Sequence, residues 1–223
     1  MAIKNNVLSW FDLANAPRKP GIYAWYFRPE LLDSDINELK NNLTNADNIK
    51  DDSKKIEAVK SFLRERIFSF FEQKPYQIEL KGQLKPRFVG EATHRADDDL
   101  SDELVRRIAD DPNRLFELKK ALDSTSPLQA SPLYIGMADD IHLRVIKHKK
   151  LIIKLENEIV FFMQKYLDYG YTTQEINFAE RVVERRIPPT QLFMTYYEAQ
   201  SKSAANDIEN ILNRIYFPIL GRN

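Results

Sequence analysis

The chain has 223 residues, in which 33 Lys and Arg balance 33 Asp and Glu, so its formal net charge at pH 7 is zero. This balance excludes a protein that binds nucleic acid through its whole surface, and leaves only a local basic patch for that purpose. The absence of cysteine excludes disulfides, thiol catalysis and cysteine zinc sites, and no apolar run approaches the roughly 20 residues that span a bilayer. We therefore expect a soluble, cytoplasmic protein with no membrane partner.

The first 29 residues contain two predicted elements. Residues 7–14 carry apolar side chains at helical spacing, which predicts a short amphipathic helix. Residues 21–27 read Gly-Ile-Tyr-Ala-Trp-Tyr-Phe between Pro20 and Pro29. This run is rich in residues that favour strands, so we predict a strand whose limits are set by the two prolines.

Residues 30–130 are polar, charged and mostly helical by pattern. Apolar residues recur every three or four positions over residues 52–73, which predicts one long amphipathic helix with a basic polar face. Two short runs predict a β-hairpin near residues 76–90. A helix is expected over residues 113–122, and residues 124–131 have the composition of a loop.

Residues 132–148 begin as a short apolar strand and continue as a helix. Arg144 and His148 are four residues apart, so they share one helix face, beside the turn that carries Tyr134. A tyrosine, a guanidinium and an imidazole near one turn can hold and cut a phosphodiester. We predict that this helix is interrupted near residues 148–151.

In the last part of the chain, the composition of residues 191–197 predicts a strand. A helix is predicted over residues 204–216, capped by Ser201 or Ser203. Pro218 ends this helix.

These features, taken in order, resemble the GIY-YIG nuclease superfamily. Residues 21–23 are Gly-Ile-Tyr and residues 134–136 are Tyr-Ile-Gly, the two strand motifs that name the family. Arg144 lies ten residues after the second tyrosine, and a histidine follows it by four. The remaining members of the pattern are Glu209, on a helix after a third strand, and the closing Pro218 and Asn223.

The resemblance implies a mixed α+β fold, in which a small antiparallel three-stranded sheet flanked by helices forms the GIY-YIG core. Residues 1–29 and 131–223 would form the nuclease module, and residues 30–130 would be a mostly helical insertion that contains the hairpin. The implied activity is that of a metal-dependent endonuclease that hydrolyses phosphodiester bonds in DNA, in a restriction, defence or mobile-element system. The alternative is a catalytically inactive nucleic-acid- or protein-binding module on the same scaffold, which is favoured by Met137 where many members have lysine.

The resemblance also assigns a metal and a phosphate ligand. Glu209 would hold a single Mg²⁺ or Mn²⁺ whose other ligands are waters, since Mg²⁺ takes few protein ligands. Asp207 is the nearest rival carboxylate. Arg144 would hold the scissile phosphate with its planar guanidinium.

The proton-transfer groups remain open between a phenol and an imidazole. Tyr23 and Tyr134 would position or deprotonate the attacking water, and His148 is the alternative base or proton shuttle because its ordinary pKa is close to neutrality. Asn223 would orient the phosphate or the catalytic tyrosine.

DNA is the expected partner, and a homodimer is the expected assembly if the chain self-associates. The insertion could bind DNA through its basic helix face and through Lys81, Lys85 and Arg87 on the hairpin, or it could bind a protein partner. The sequence does not decide between these roles.

Overall fold

The computed structural model describes residues 6–49, 52–68, 70, 76–80, 88–92, 100–158 and 177–221. Over these residues the protein is a mixed α+β protein, with seven α-helices, a four-stranded antiparallel sheet and a separate two-stranded sheet. Two compact units are present, residues 1–30 with 120–223 and residues 31–119. Of the helices in the described residues, none is long and apolar enough to cross a membrane.

Strands and α-helices are numbered in the order in which they follow one another along the described part of the chain. The strands are β1 (Val7–Ser9), β2 (Gly21–Phe27), β3 (Tyr76–Leu80), β4 (Phe88–Ala92), β5 (Tyr134–Ala138) and β6 (Leu192–Glu198). The helices are α1 (Asp33–Ile49), α2 (Asp52–Leu63), α3 (Asp102–Asp110), α4 (Arg114–Gln129), α5 (Ile141–Asn157), α6 (Phe178–Glu184) and α7 (Lys202–Tyr216).

The main sheet has four strands in the order β1-β6-β2-β5, which is one strand more than the three that were predicted. The extra strand is β1, which pairs with β6 and brings Val7 opposite Thr195. The prediction of a helix over residues 7–14 is therefore wrong. The partner of β1 lies nearly the whole chain away, so no local pattern could reveal the pairing; residues 13–15 form only a short 3-10 helix.

Strand β2 is central in this sheet, between β5 and β6, as the run of β-forming residues predicted. Burial alternates along it, and Tyr23, Trp25 and Phe27 are all buried on one face. This face carries Tyr23 into contact with His148 of α5, which packs against the sheet.

Helix α5 is continuous from Ile141 to Asn157, so the predicted interruption near residues 148–151 is wrong. Its buried residues are Ile141, Val145, His148 and Ile152. Their spacing keeps one face in the core over three turns, and the charged run around His148 lies on the other faces without breaking the helix.

Helix α7 confirms the predicted C-terminal helix and is capped by Ser201, whose hydroxyl accepts a hydrogen bond from the Ala204 amide at 3.2 Å. It packs against β5 and β2. After it the chain returns to the start of β5, where the Leu220 amide donates to the Leu133 carbonyl at 2.6 Å. The guanidinium of Arg181 on α6 donates to the Gly221 carbonyl.

The second unit contains α1, α2, α3, the first residues of α4, and the antiparallel pair β3 and β4. Its described core includes Val59, Leu63, Val105, Ile108 and Leu115. Of the helix predicted over residues 52–73, α2 covers the first part and a π-helical turn follows at Arg64–Phe68, whereas residues 69 and 71–73 lie outside the described residues. Helix α4 runs on to Gln129, so the loop predicted over residues 124–131 is largely helical.

Candidate active site

Two tyrosines from neighbouring strands share one face of the main sheet. In the antiparallel pair of β2 and β5, Tyr23 lies opposite Gly136, and Trp25 lies opposite Tyr134. Side chains alternate between the faces of a strand, so Tyr23 and Tyr134 project to the same side. Their ring centroids are 6.1 Å apart.

Gly136 lies beneath these two phenols. A Cβ built on this residue would come within 2.8 Å of the Tyr23 Oη and 2.9 Å of the Tyr134 Oη, and within 2.6 Å of Tyr134 Cε1. Any side chain here would push the rings away, so the absence of one allows both hydroxyls to meet over β5.

Helix α5 adds a guanidinium and an imidazole to the two phenols. The Asp140 side chain caps the helix by accepting from the Leu143 amide at 2.8 Å. From the first turns of the helix, Arg144 Nε donates to the Tyr23 Oη at 3.4 Å. His148 Nε2 lies 3.0 Å from the same oxygen. Tyr23 is thus the centre of the cluster, between the two side chains of α5.

The hydrogen-bond directions follow from the chemistry of the three groups. A guanidinium can only donate, so the Tyr23 oxygen accepts from Arg144. In the tautomer of the neutral imidazole that carries its proton on Nδ1, Nε2 is an acceptor and the Tyr23 hydroxyl donates its proton to it. The three side chains form a directed chain from the charged Arg144 to the neutral His148.

Burial and neighbouring charge keep His148 and Tyr23 neutral. Burial lowers the pKa of His148 to about 3, and the positive charges of Arg144 and Lys147 act in the same direction. Burial also raises the pKa of Tyr23 far above its ordinary value, and the nearby Tyr134 adds to this, whereas Arg144 opposes it. Neither group is ionised at neutral pH in the protein alone.

One end of the cluster is closed and the other is open. Tyr23 is 1% exposed and His148 is 7% exposed. Tyr134 is half-buried, and Arg144 is exposed. A ligand would therefore meet Arg144 and Tyr134 first, and a proton could pass inward through Tyr23 to His148.

Phe178, at the start of α6, forms the closed wall of this cluster. Its ring stands edge-on to His148 with centroids 5.3 Å apart, and lies 5.0 Å from the ring of Tyr134. It also stacks on Trp25 at 5.4 Å. A capping box fixes the start of this helix, since Asn177 and Glu180 each bond the other's backbone amide.

The sequence pattern does not indicate Phe178 as a site residue, although it is in contact with both His148 and Tyr134. The only local signal is the Asn177-to-Glu180 spacing of a capping box, which predicts a helix start but not a neighbour of the site. Its relation to β2, β5 and α5 depends entirely on tertiary packing.

Glu209 lies on α7, which packs against the two strands that carry the tyrosines. It is half-buried and lies one turn after the buried Ala205, so both are on the helix face directed toward the sheet. Asp207 is exposed on another face. Of the two carboxylates, Glu209 is therefore the one that is partly buried.

The donor chemistry of Glu209 fits a hydrated Mg²⁺ or Mn²⁺, which needs one carboxylate and several waters. In the described residues, no group of three or more His, Asp or Glu that could hold a metal is present. Asn223, the remaining predicted site residue, lies outside the described residues.

Met137 projects away from the cluster. It follows Gly136 in β5 and lies opposite Ile22 in β2, so strand alternation directs it to the face opposite the tyrosines. A lysine at this position would also leave that face, unless its long side chain wrapped around the strand. Met137 is therefore not one of the side chains that meet at Tyr23.

Comparisons of the chain with protein-family models, with curated proteins and with solved structures gave no significant match. A function for the chain must therefore be inferred from its residues and their geometry.

Proposed function

We propose that this chain is a metal-dependent endonuclease of the GIY-YIG type, which hydrolyses phosphodiester bonds in DNA. The observation that carries the proposal is the convergence of Tyr23, Tyr134, Arg144 and His148, from two strands and one helix, on a single cluster. The same four residues are those that the family resemblance implies from their order in the sequence alone. The nuclease module would lie in the unit of residues 1–30 and 120–223.

Arg144 would bind the scissile phosphate at the open end of the cluster. Its guanidinium is exposed and has N–H groups beyond the one directed at Tyr23, so it can donate to phosphoryl oxygens. It would neutralise charge that develops on those oxygens in the transition state.

The two phenols and the imidazole would move the proton of the attacking water. Tyr134 is the more exposed phenol, so its oxygen would accept the proton of the water while its own proton passes to the Tyr23 oxygen. Tyr23 would at the same time give its proton to His148 Nε2. A bound phosphate would offset the charge of Arg144, which is one cause of the low pKa of His148. Substrate binding would thus raise the basicity of the imidazole.

Glu209 would hold the divalent ion through its carboxylate. When bound, such an ion supplies Lewis-acid stabilisation of the phosphoryl and leaving oxygens.

Plasmid nicking tests the proposal. Supercoiled DNA incubated with the protein and Mg²⁺ or Mn²⁺ should be nicked, and Tyr23→Phe should reduce the rate by roughly 10²–10⁴-fold, as for the loss of a proton-transfer group. The matched control is Tyr26→Phe on the same strand, where the hydroxyl lies 3.5 Å from Thr195 Oγ1 on the other face. That variant should nick at the wild-type rate.

A second pair of variants tests the metal ligand. Glu209→Gln should abolish nicking, and Asp207→Asn, a matched change on an exposed face of the same helix, should not. Robust nicking by Glu209→Gln would overturn the assignment of this carboxylate.

The alternative is a non-catalytic nucleic-acid- or protein-binding module on the same scaffold. The observation in its favour is that burial disfavours ionisation of both Tyr23 and His148, so the free protein holds no strong base in the cluster. DNA binding by the wild type without cleavage under any divalent ion would support this alternative over the nuclease.

A further inference from the structure

Three lysines of α5 form a basic stripe (Lys147, Lys150 and Lys154) on the solvent side of the helix. All three are exposed, whereas the opposite face of the helix is buried in the core. At 100° per residue they lie within an arc of ~60° and extend over ~10 Å of the helix axis. Arg144 lies one turn before Lys147, so the stripe continues from the open end of the tyrosine cluster.

Within the part of the chain that the structure describes, no ion-pair partner accounts for the basic stripe. Among the residues that the structure describes, none of its lysines takes part in an ion pair, although Lys19 and Lys202 in the same unit bond Glu198 and Asp139 at 2.6 and 2.8 Å. Like charges three and four positions apart on a helix repel one another. The helix dipole favours a cation only in the last turn, so it accounts for Lys154 and not for Lys147 or Lys150.

Lys149, the neighbour of Lys150 in the chain, contacts Trp10 and is therefore not counted in the basic stripe. Lys149 donates to the Trp10 carbonyl at 2.9 Å and lies 5.1 Å from the centroid of the Trp10 ring. This side chain is used within the fold, whereas the three lysines of the stripe project outward.

The distribution of charge between the two units points the same way. Residues 1–30 and 120–223 contain 17 Lys and Arg against 14 Asp and Glu, and residues 31–119 contain 16 against 19. The neutral total thus conceals a basic unit that carries the tyrosine cluster and an acidic unit. The acidic balance of residues 31–119 disfavours that region as the main contact with a polyanion.

We propose that the basic stripe of α5 is the surface that holds the phosphate backbone of duplex DNA and directs it toward Arg144. Phosphates of one strand advance ~3.4 Å along the duplex axis, so a stripe ~10 Å long matches about three of them. Such contacts position a duplex without reading its sequence. The inference rests on the proposed nuclease function for the role of Arg144, and its test is separate because binding is measured without cleavage.

The experiment measures binding of the full chain to a labelled DNA duplex in EDTA over a series of salt concentrations. The test variant carries Lys147→Gln, Lys150→Gln and Lys154→Gln together. Each lost phosphate contact makes the negative slope of log K against log salt shallower by about 0.9. The slope of the triple variant should therefore be smaller in magnitude by about 2.7 than that of the wild type. Its affinity at low salt should fall by roughly tenfold or more.

Lys19→Gln is the control for the loss of one exposed lysine elsewhere in the same unit, and it is compared with the loss per lysine in the triple variant. Its lysine is exposed in the same unit, but Glu198 already neutralises it, so its salt slope should stay close to that of the wild type. Circular dichroism and thermal unfolding should be unchanged in all variants, since the three lysines have no described role in packing.

The outcomes separate this inference from the proposed function. An unchanged salt slope in the triple variant, or an equal loss of slope per lysine removed in the control, would overturn the inference even if the wild type nicks plasmid. A wild type that binds vesicles of anionic lipid or an RNA duplex in preference to DNA would also overturn it. Loss of DNA binding in the triple variant supports the stripe, and it does so even if the wild type never nicks DNA, in which case only the nuclease proposal fails.

Discussion

Protonation of His148 should destabilise the protein in mildly acidic solution. Burial holds the pKa of this imidazole at about 3 in the folded protein, whereas its ordinary value is about 6.5. Between these two values the unfolded chain binds more protons than the folded one, so stability must fall as the pH is lowered. The contribution of His148 is fully present above pH 6.5 and is lost progressively toward pH 3.

The magnitude of this loss follows from the two pKa values. At pH 4.5 the unfolded imidazole is almost fully protonated and the folded one is almost fully neutral, which costs about 2–3 kcal/mol relative to pH 7.5. The charged imidazole would also lose the hydrogen bond that it accepts from the Tyr23 hydroxyl. This cost is a large fraction of the stability of an ordinary domain.

The assay is urea unfolding at pH 7.5 and pH 4.5 for the wild type and for His148→Gln. Carboxylates titrate in the same range in both proteins, so the difference between the two pH-dependent changes isolates His148. The wild type should lose about 2–3 kcal/mol more than the variant, whose amide is neutral throughout. His142→Gln, on the same helix but outside the cluster, should lose as much stability as the wild type.

A difference below about 1 kcal/mol would refute the reasoning, because it would mean that the folded imidazole accepts a proton near its ordinary pKa. A nuclear magnetic resonance titration gives the same test directly. The chain has three histidines, so the signal that disappears in His148→Gln identifies the imidazole to follow.

Two further predictions concern a glycine that is crowded by neighbouring side chains and a residue with a left-handed backbone conformation. Gly136→Ala should destabilise the protein by about 1–3 kcal/mol in urea unfolding and reduce plasmid nicking. The reason is that the new Cβ would lie 2.6 Å from Tyr134 Cε1 and 2.8 Å from the Tyr23 Oη. Unchanged stability and nicking would contradict this prediction. Phe217→Gly should raise the stability by about 1 kcal/mol over Phe217→Ala, because residue 217 caps α7 with a left-handed φ of 44° that only glycine adopts without strain. Since the Phe217 ring is 78% exposed, both substitutions lose little packing, and equal stability of the two variants would refute the prediction.

Several elements could be predicted because their signals are local. The run of β-forming residues between Pro20 and Pro29 predicted β2, and Ser201 with the apolar spacing after it predicted α7. The sequence also contains the order of the motif residues, in which the two tripeptides are followed by Arg144 and His148, so this order could be recognised without the structure. These features concern neighbours along the chain, where spacing and chirality limit the alternatives.

Other elements could not be predicted because their partners are distant. The three residues of β1 form a strand because they pair with β6. The local pattern of residues 7–14 is that of an amphipathic helix, so it did not indicate this pairing. The charged run near residue 148 suggested a break in α5, but the buried Val145 and Ile152 on either side keep the helix in the core. Tertiary packing overrode the local pattern in both cases.

The amino-acid sequence by itself determined which residues are chemically able to form the site: two phenols, a guanidinium, an imidazole and a carboxylate in a defined order. Only the tertiary structure decided that Tyr23 lies between Arg144 and His148, and that Phe178 closes the cluster behind the imidazole. The physical reason is that the ionisation of a side chain depends on burial and on nearby charge. For Tyr23, both are set by residues more than a hundred positions away in the chain, which meet it only when β2, β5 and α5 pack together.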